Sequence, residues 1–459
     1  MAQPSCMGLA LTLPEILVNV FELLESHAPS LVAAIRVNKQ WFACGTDVLW
    51  REPPLEALAD VKEDRRQVYA AKIRALSFFG GDDNAYHARF QHLQFSSLRR
   101  VSLDVYRRDE GGGYHIRQYI QPSLEEFLLY GSDLDDELLH HVQNTCRRLQ
   151  RILMDSPGQR VTASSFFNFI SGCNSLKHME FECGMDHLLT DELLLHLAHR
   201  ASLSSLAIGK ACSKQVLEQI STHISEPFKE LQTLHMPVPS SAVPLLVELV
   251  KHATSLDLAV RDADIPVTRI ISAKADLHAL SLSFAVPTEL SRNDILSLQA
   301  LSRLERLSIG PEDMYDAAVV TAFSSGFSDS DFDELCSKLP FLRRIEFKVQ
   351  CNLSAAALES LSTHCPLLEE CTMPQVVDLQ ALSLDARQAV MFPHLRLLEL
   401  GGLQPPEVGD EQAPRHSPEE TASLIKRLFP KLEELCLISD DEYSNGVLDA
   451  FSALEGSSA

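Results

Sequence analysis

One short phase dominates the 459-residue chain: Leu-x-x-Leu-x-Leu, with other apolar residues standing in for some leucines. It reads LRRVSL at Leu98, LEEFLL at Leu124, LQRILM at Leu149, LKHMEF at Leu176, LSSLAI at Leu203 and LQTLHM at Leu231. It continues as ATSLDL at Ala253, LHALSL at Leu277, LERLSI at Leu304, LRRIEF at Leu342, LEECTM at Leu368, LRLLEL at Leu395 and LEELCL at Leu432. Most starts lie about 22 to 28 residues apart, a period at which one strand and one return segment form a unit that cannot bury its own apolar face. Such units are stable only when stacked, so the phase predicts an extended array in place of one closed core.

Within each short strand, positions one, four and six point inward, and positions three, five and seven point outward. The return segments LDDELLHHVQNTC, LTDELLLHLAHRA and LSAAALESLSTHC carry apolar residues three and four apart, as an amphipathic helix does. Asp133, Thr190 and Ser354 are the expected helix starts. The phase is that of leucine-rich repeats, and the fold class expected is α/β: a curved solenoid with parallel strands on the concave face and helices on the convex face. The longer intervals after Leu304 and Leu395 imply insertions near 311–341 and 401–431, the second a Pro- and acid-rich surface loop.

Ahead of the repeats, LPEILVNVFELLESHAPSLVAAIRVNKQWFACGTDVLW from Leu13 to Trp50 reads as three short helices. Thr12 and Glu15 have the spacing of a capping box. Leu13, Ile16, Leu17, Val20, Leu23 and Leu24 then fall at helical intervals, and Ala28, Pro29 and Ser30 break the run before a second helix near Leu31. About forty residues make a marginal core, so apolar surface here is better covered by a partner than left in water. The order Leu-Pro-Glu, apolar helix, Val-Asn-Lys-Gln-Trp and Leu-Trp resembles the F-box, and both tryptophans of the chain, Trp41 and Trp50, stand at its aromatic positions. Cys146 and the Cys-Pro at Cys365, each just before a strand, resemble the cysteine-containing repeats that accompany F-boxes.

The resemblance implies a substrate receptor of an SCF-type cullin-RING ubiquitin ligase, working in the cytoplasm or nucleus. Its Skp adaptor would be gripped through Leu13, Pro14, Ile16, Val20, Val37, Trp41 and Leu49. An F-box repeat scaffold without a degradative role is the alternative. The segments expected are 12–52 for the F-box, 53–97 for a linker, 98–439 for the repeats and 440–459 for a tail.

Composition narrows the partners. A net charge of -23 argues against nucleic acid, whose phosphates are held by clustered Lys and Arg; a neutral or basic protein fits, and so does plain solubility. No run is long and apolar enough for a bilayer, so no membrane partner is expected. Cysteines are scattered without a Cys-x-x-Cys pair, which gives no disulfide framework or zinc ribbon and fits a reducing compartment. DSDFDELC at Asp329 imitates the start of a calcium loop but holds Glu334 where glycine is needed and Pro340 where the last ligand belongs. Gly111 to Gly113 lack dinucleotide-loop spacing, and His196 and His199 have no further ligands beside them. No nucleophile, acid and base can be named together, so neither catalysis nor a cofactor is expected. The outward positions are the surface expected to select a target protein, with Arg100, Arg151, Asp155, Glu180, Glu182, Arg344 and Glu346 as the candidate contacts.

Overall fold

The computed structural model describes residues 13–25, 27–107, 115–312, 319–324, 326–382, 390–405 and 417–456. The chain divides into two compact units, residues 1–197 with 202–210, and residues 198–201 with 211–459.

The first unit opens with helices α1 (Pro14–Glu22), α2 (Ala28–Ala34) and α3 (Lys39–Leu49). Thr12 lies outside the described residues, and Leu13 sits at the cap position of α1 without a side-chain hydrogen bond. The Ala28-Pro29-Ser30 segment starts the second helix and does not merely break the first. His27 accepts the Ser30 amide at 3.3 Å, and Pro29 occupies the first turn, where its missing N–H costs nothing. Asn38 caps α3 through the Trp41 amide at 2.9 Å. Leu17, Phe21, Leu31, Cys44 and Val48 form the core of this small body, with Trp41 edge-on to Phe21 at 5.4 Å.

Helices α4 (Leu55–Asp60) and α5 (Glu63–Ala70) follow. Six parallel strands then stack in sequence order: β1 (Ala75–Phe78), β2 (Arg100–Asp104), β3 (Glu126–Tyr130), β4 (Arg151–Asp155), β5 (His178–Phe181) and β6 (Ser205–Ile208). Residues of like repeat position stand side by side, as in Arg100 beside Glu126, Glu126 beside Arg151 and Arg151 beside His178. Helices α6 (Asn84–Arg89), α7 (Asp136–Thr145), α8 (Ala163–Gly172) and α9 (Asp191–His199) lie in the return segments. Asp135, two residues after the expected Asp133, caps α7, because it is its carboxylate that reaches the Leu138 amide at 3.0 Å.

The stack begins inside the segment read as linker. IRALSF at Ile73 has the repeat phase with Ile in the first place, and its strand β1 pairs with β2 over Ala75 to Phe78. A shared carbonyl carries the register. Both Arg99 and Arg100 amides donate to Arg74 O, both Glu125 and Glu126 amides to Arg99 O, and the pattern repeats at Gln150 with Arg151 and at Lys177 with His178. One step earlier, the Arg74 and Ala75 amides donate to Arg51 O at 2.8 and 3.0 Å, so the residues just after Trp50 form a zeroth rung.

The second unit repeats the same scheme. Parallel strands run β7 (Thr233–Val238), β8 (Ser255–Val260), β9 (Ala279–Phe284), β11 (Arg306–Pro311), β13 (Arg344–Phe347), β14 (Glu370–Val377), β15 (Leu397–Leu403) and β16 (Glu434–Leu437). A separate two-stranded sheet joins β10 (Thr288–Glu289) to β12 (Val320–Thr321), within and ahead of the first expected insertion. Return helices are α10 (Lys214–His223), α11 (Val243–Leu249), α12 (Val267–Ile271), α13 (Arg292–Ser297), α14 (Asp329–Cys336), α15 (Ala356–His364), α16 (Pro418–Leu428) and α17 (Glu442–Gly456). The expected tail is therefore largely helix, packed on α16. Each unit is thus an α/β stack of leucine-rich repeats, with strands in one layer and return helices in the other.

First-position residues from Leu98 to Leu432 are all buried, as are the fourth and sixth except in β16, where Leu435 and Leu437 are half-buried on the last strand. Full burial of such a side chain stabilises by about 1.5–3 kcal/mol, and each repeat needs its neighbour to obtain it. Cys146 and Cys365 are buried and their thiols point at Gln121 O and Leu339 O, at 3.4 and 3.5 Å, in the preceding repeat.

Where the strands end, backbones converge at position seven. A Cβ on Gly401 would stand 2.0 Å from Pro374 O, and one on Gly209 2.4 Å from Glu182 O. Gly401→Ala must push backbone apart and is expected to cost about 2–3 kcal/mol, read as a lowered thermal midpoint. Gly81→Ala, at a site with open space around it, is the near-neutral control.

Candidate functional site

Two surfaces result from this construction, one apolar and one polar. Helix α1 has two apolar stripes about 100° apart, since each helical residue advances by that angle. Leu17, Phe21 and Leu24 face the small core. Leu13, Ile16, Val20 and Leu23 make the other stripe, with Leu13 at 50% exposure, Leu23 at 83% and Val20 half-buried. Pro14 is exposed in the first turn, and Val37 adds a further exposed apolar side chain at 61%. Trp41 and Leu49 instead pack against the core and support the surface from beneath. Leu23 and Phe42 are exposed apolar residues missing from the expected set. The signal for Leu23 was its place three residues beyond Val20 on the same stripe.

The small body is fastened to the first rungs. Trp50 stacks on Tyr69 with ring centres 4.3 Å apart, so this tryptophan serves the joint. Lys72 donates to Thr46 Oγ1 at 2.8 Å and pairs with Asp47, while Arg51 reaches Glu22 of α1 at 2.7 Å. Glu52 pairs with Arg100 across Ala75, whose methyl side chain leaves room for the two longer ones to meet.

On the first unit's strand face, Arg151 stands 3.8 Å from Glu180, next to the half-buried Tyr130. Burial and then the Glu180 charge raise the Tyr130 phenol. Asp155 turns back into the fold: its Oδ1 accepts the Glu182 and Cys183 amides at 3.1 and 3.2 Å. That carboxylate is therefore committed to a turn, a use that residue type alone does not reveal. Arg344 and Glu346 belong to the second unit. Arg344 Nε donates to Glu346 at 2.9 Å and the guanidinium also pairs with Glu370 at 2.9 Å; Lys348 stands 3.4 Å from Glu346. Burial would raise the Glu346 carboxyl, but hydrogen bonds from Arg344 and the Lys348 charge hold it lower.

The fifth positions of β7, β8 and β9 bring His235, Asp257 and Ser281 side by side. His235 Nδ1 lies 2.9 Å from Asp257, and Ser281 also hydrogen-bonds Asp257. The carboxylate is in the middle, so the serine hydroxyl is tied to an acid and not to an imidazole base, unlike a nucleophilic triad. Burial raises the Asp257 carboxyl, and the His235 and Ser281 bonds more than offset it. Cys371 is pushed up to about 12 by burial; Cys336 is raised by its bond to Cys365 and by burial, which keeps both as packed thiols.

Asp329 accepts the Ser354 amide and hydroxyl at 2.9 and 2.7 Å, and Asp331 takes Arg292 at 2.6 Å while closing a capping box with Ser328. Asp329 and Asp331 of the calcium-like sequence are thus spent on helix starts, and Asp333 lies 3.1 Å from His364. The ring of His196 packs on Phe167 at 5.5 Å, and Gly111 to Gly113 lie outside the described residues. Among the described residues no group of three or more His, Cys, Asp or Glu is placed to hold a metal ion, and no helix is long and apolar enough to cross a membrane.

No family model and no curated protein matches the chain. Among solved structures it is similar to the complex of Rad7 and Elc1 from yeast, at 12% identity and a TM-score of 0.49 over 96% of each chain. It is also similar to an LRR protein of Leptospira interrogans, at 13% identity and a TM-score of 0.36 over 83% of this chain and 85% of that one. A third is the LRR ectodomain of the membrane receptor kinase GASSHO1/SCHENGEN3 of Arabidopsis thaliana with CASPARIAN STRIP INTEGRITY FACTOR 2, at 16% identity and a TM-score of 0.37, covering 86% of this chain and 51% of that one. The leucine-rich-repeat assignment rests on the strand order and register above.

In the first unit His87 is buried, at 2% exposure, among Phe78, Tyr106 and Tyr119. Burial, with a smaller contribution from the His115 charge, pushes its imidazole down to about 4 from 6.5. Between those two values the unfolded chain binds a proton that the folded chain refuses. Stability from this group is therefore complete above pH 6.5, is lost as pH falls, and stops changing below 4, a difference of about 3 kcal/mol. His87→Phe is expected to flatten the fall in urea midpoint between pH 7 and 4.5; an unchanged slope counts against a neutral buried His87.

Proposed function

We propose that the chain is the substrate-recognition subunit of an SCF-type cullin-RING ubiquitin ligase. The observation that carries this reading is the second apolar stripe of α1: a three-helix body with a filled core of its own still presents Leu13, Ile16, Leu23, Val37 and Phe42 to solvent. Exposed apolar side chains gathered on so small a body are surface for a partner. That partner is the Skp adaptor, met by Leu13, Pro14, Ile16 and Val37 directly and by Val20 at the edge. Trp41 and Leu49 hold the helices that present them.

The strand faces take the target protein. Outward positions in a repeat stack are not needed for the buried leucine core, so their side chains are available to contact a target. Arg100, Arg151 and Glu180 in the first unit, and Arg344 and Glu346 in the second, are contacts of this kind, with Glu182 beside them. Asp155 contributes by shaping the turn that positions Glu182 and Cys183. The chain supplies no bond-making groups itself; the other ligase subunits perform the transfer in the cytoplasm or nucleus.

The test is binding of the purified chain to purified Skp adaptor by calorimetry. Leu13→Asp with Ile16→Asp places charge where apolar contact is required and is expected to weaken binding by about 100-fold, with the thermal midpoint unchanged because both side chains are exposed. A parent chain that does not bind the adaptor defeats the proposal. Adaptor binding combined with a bound target whose abundance stays constant after depletion assigns the chain to the non-degradative scaffolds.

A further inference from the structure

At the first rung of the strand face a pocket of about 390 Å³ opens between the segment after Trp50 and the end of β1. Pro53, Pro54 and Leu55 form its apolar wall, and Phe79 stands at it with 74% of its surface exposed, the most of any phenylalanine among the described residues. Glu52, Glu56 and Asp83 complete the lining with Ser77, and the lining includes no Lys, Arg or His. Gly80, at φ +72°, turns the chain so that Asp83 accepts the Phe79 amide at 2.6 Å, which fixes carboxylate and ring side by side. Glu52 is neutralised by Arg100. Among the described residues no cation lies within ion-pair distance of Glu56 or Asp83, so the pocket keeps a negative charge around an exposed ring.

The geometry points to a seat for an arginine side chain of the target polypeptide. A guanidinium is flat, stacks on an aromatic face and donates in a fork to carboxylates, while its methylenes lie along apolar walls. Lysine offers a point charge and lacks the stacking plane. The occupant belongs to a polypeptide because the pocket continues the strand face: Ser77 is paired in register with Ser102, next to Arg100 and Asp104. This inference rests on the receptor reading, since it specifies one feature of the target that the strand face takes.

The full chain is titrated with acetyl-Gly-Gly-Arg-Gly-Gly-amide and with matched peptides carrying lysine or citrulline, followed by ligand-observed NMR. The arginine peptide is expected to saturate, the lysine peptide to bind several-fold more weakly, and the neutral citrulline peptide about tenfold more weakly. Glu56→Gln and Phe79→Ala are each expected to weaken the arginine peptide by about three- to tenfold without moving the thermal midpoint. Citrulline or lysine binding equal to arginine overturns the proposal, as does no saturation by concentrations on the order of 10 mM or indifference to both substitutions. Adaptor titrations of the same samples separate the two readings. Intact adaptor binding with no peptide binding sinks the pocket alone, and the reverse result sinks the ligase assignment alone.

Discussion

The structure depends on a carbonyl shared by two amides. In rung after rung, the second-position C=O accepts the second and third N–H groups of the next repeat, from Arg51 through Arg74, Arg99, Glu125, Gln150 and Lys177 in the first unit. The same contact recurs from Gln232 to Arg396 in the second. It fixes the register at one residue per rung. A slip by one would send every fourth- and sixth-position side chain to the outer face, so hydrogen bonding and apolar burial enforce the same alignment. Because Arg51 begins the series, the helical body ahead of it is attached by backbone as well as by Trp50 and Lys72.

Once the register is fixed, the outward rows become ladders in which charges meet their neighbours. Arg99 with Glu125, Arg343 with Glu369 and Arg396 with Glu433 are cross-strand pairs between second positions of successive repeats. Exposed pairs of this sort contribute little stability, typically under about 1 kcal/mol each, and their effect is to remove charge from the surface a partner would meet. What stays uncompensated then matters more than the raw count of acids and bases. The Glu56 carboxylate near Phe79 is of that kind, whereas Glu52 is paired with Arg100, and Asp155 and Asp329, prominent in the sequence, are consumed by backbone amides.

Much of this was legible in the chain. Leucines at fixed spacing marked the inward face and the parallel order, because apolar periodicity maps directly onto which side chain points where. IRALSF at Ile73 is hard to read as a repeat because Ile stands at the first position and the surrounding helices resemble a connector. Asp135 and not Asp133 caps its helix, because a cap is decided by which carboxylate reaches an amide, and neighbouring acids look alike in sequence. Of the apolar residues at the N-terminus, periodicity grouped Leu13 to Leu24 as one stripe. The fold splits them, with Leu17 and Leu24 against the small core and Leu13, Ile16 and Leu23 turned to solvent.

By itself the sequence determined the repeat period, the identity of the buried positions and the helical character of the first fifty residues, all of which follow from local spacing. Tertiary structure alone decided which carboxylates remain available, where Trp50 is spent, and that Glu52, Phe79 and Asp83 line one pocket. Those outcomes depend on residues about 4 to 50 positions apart meeting in space, as Glu52 meets Arg100, and no local pattern encodes a distance of that kind.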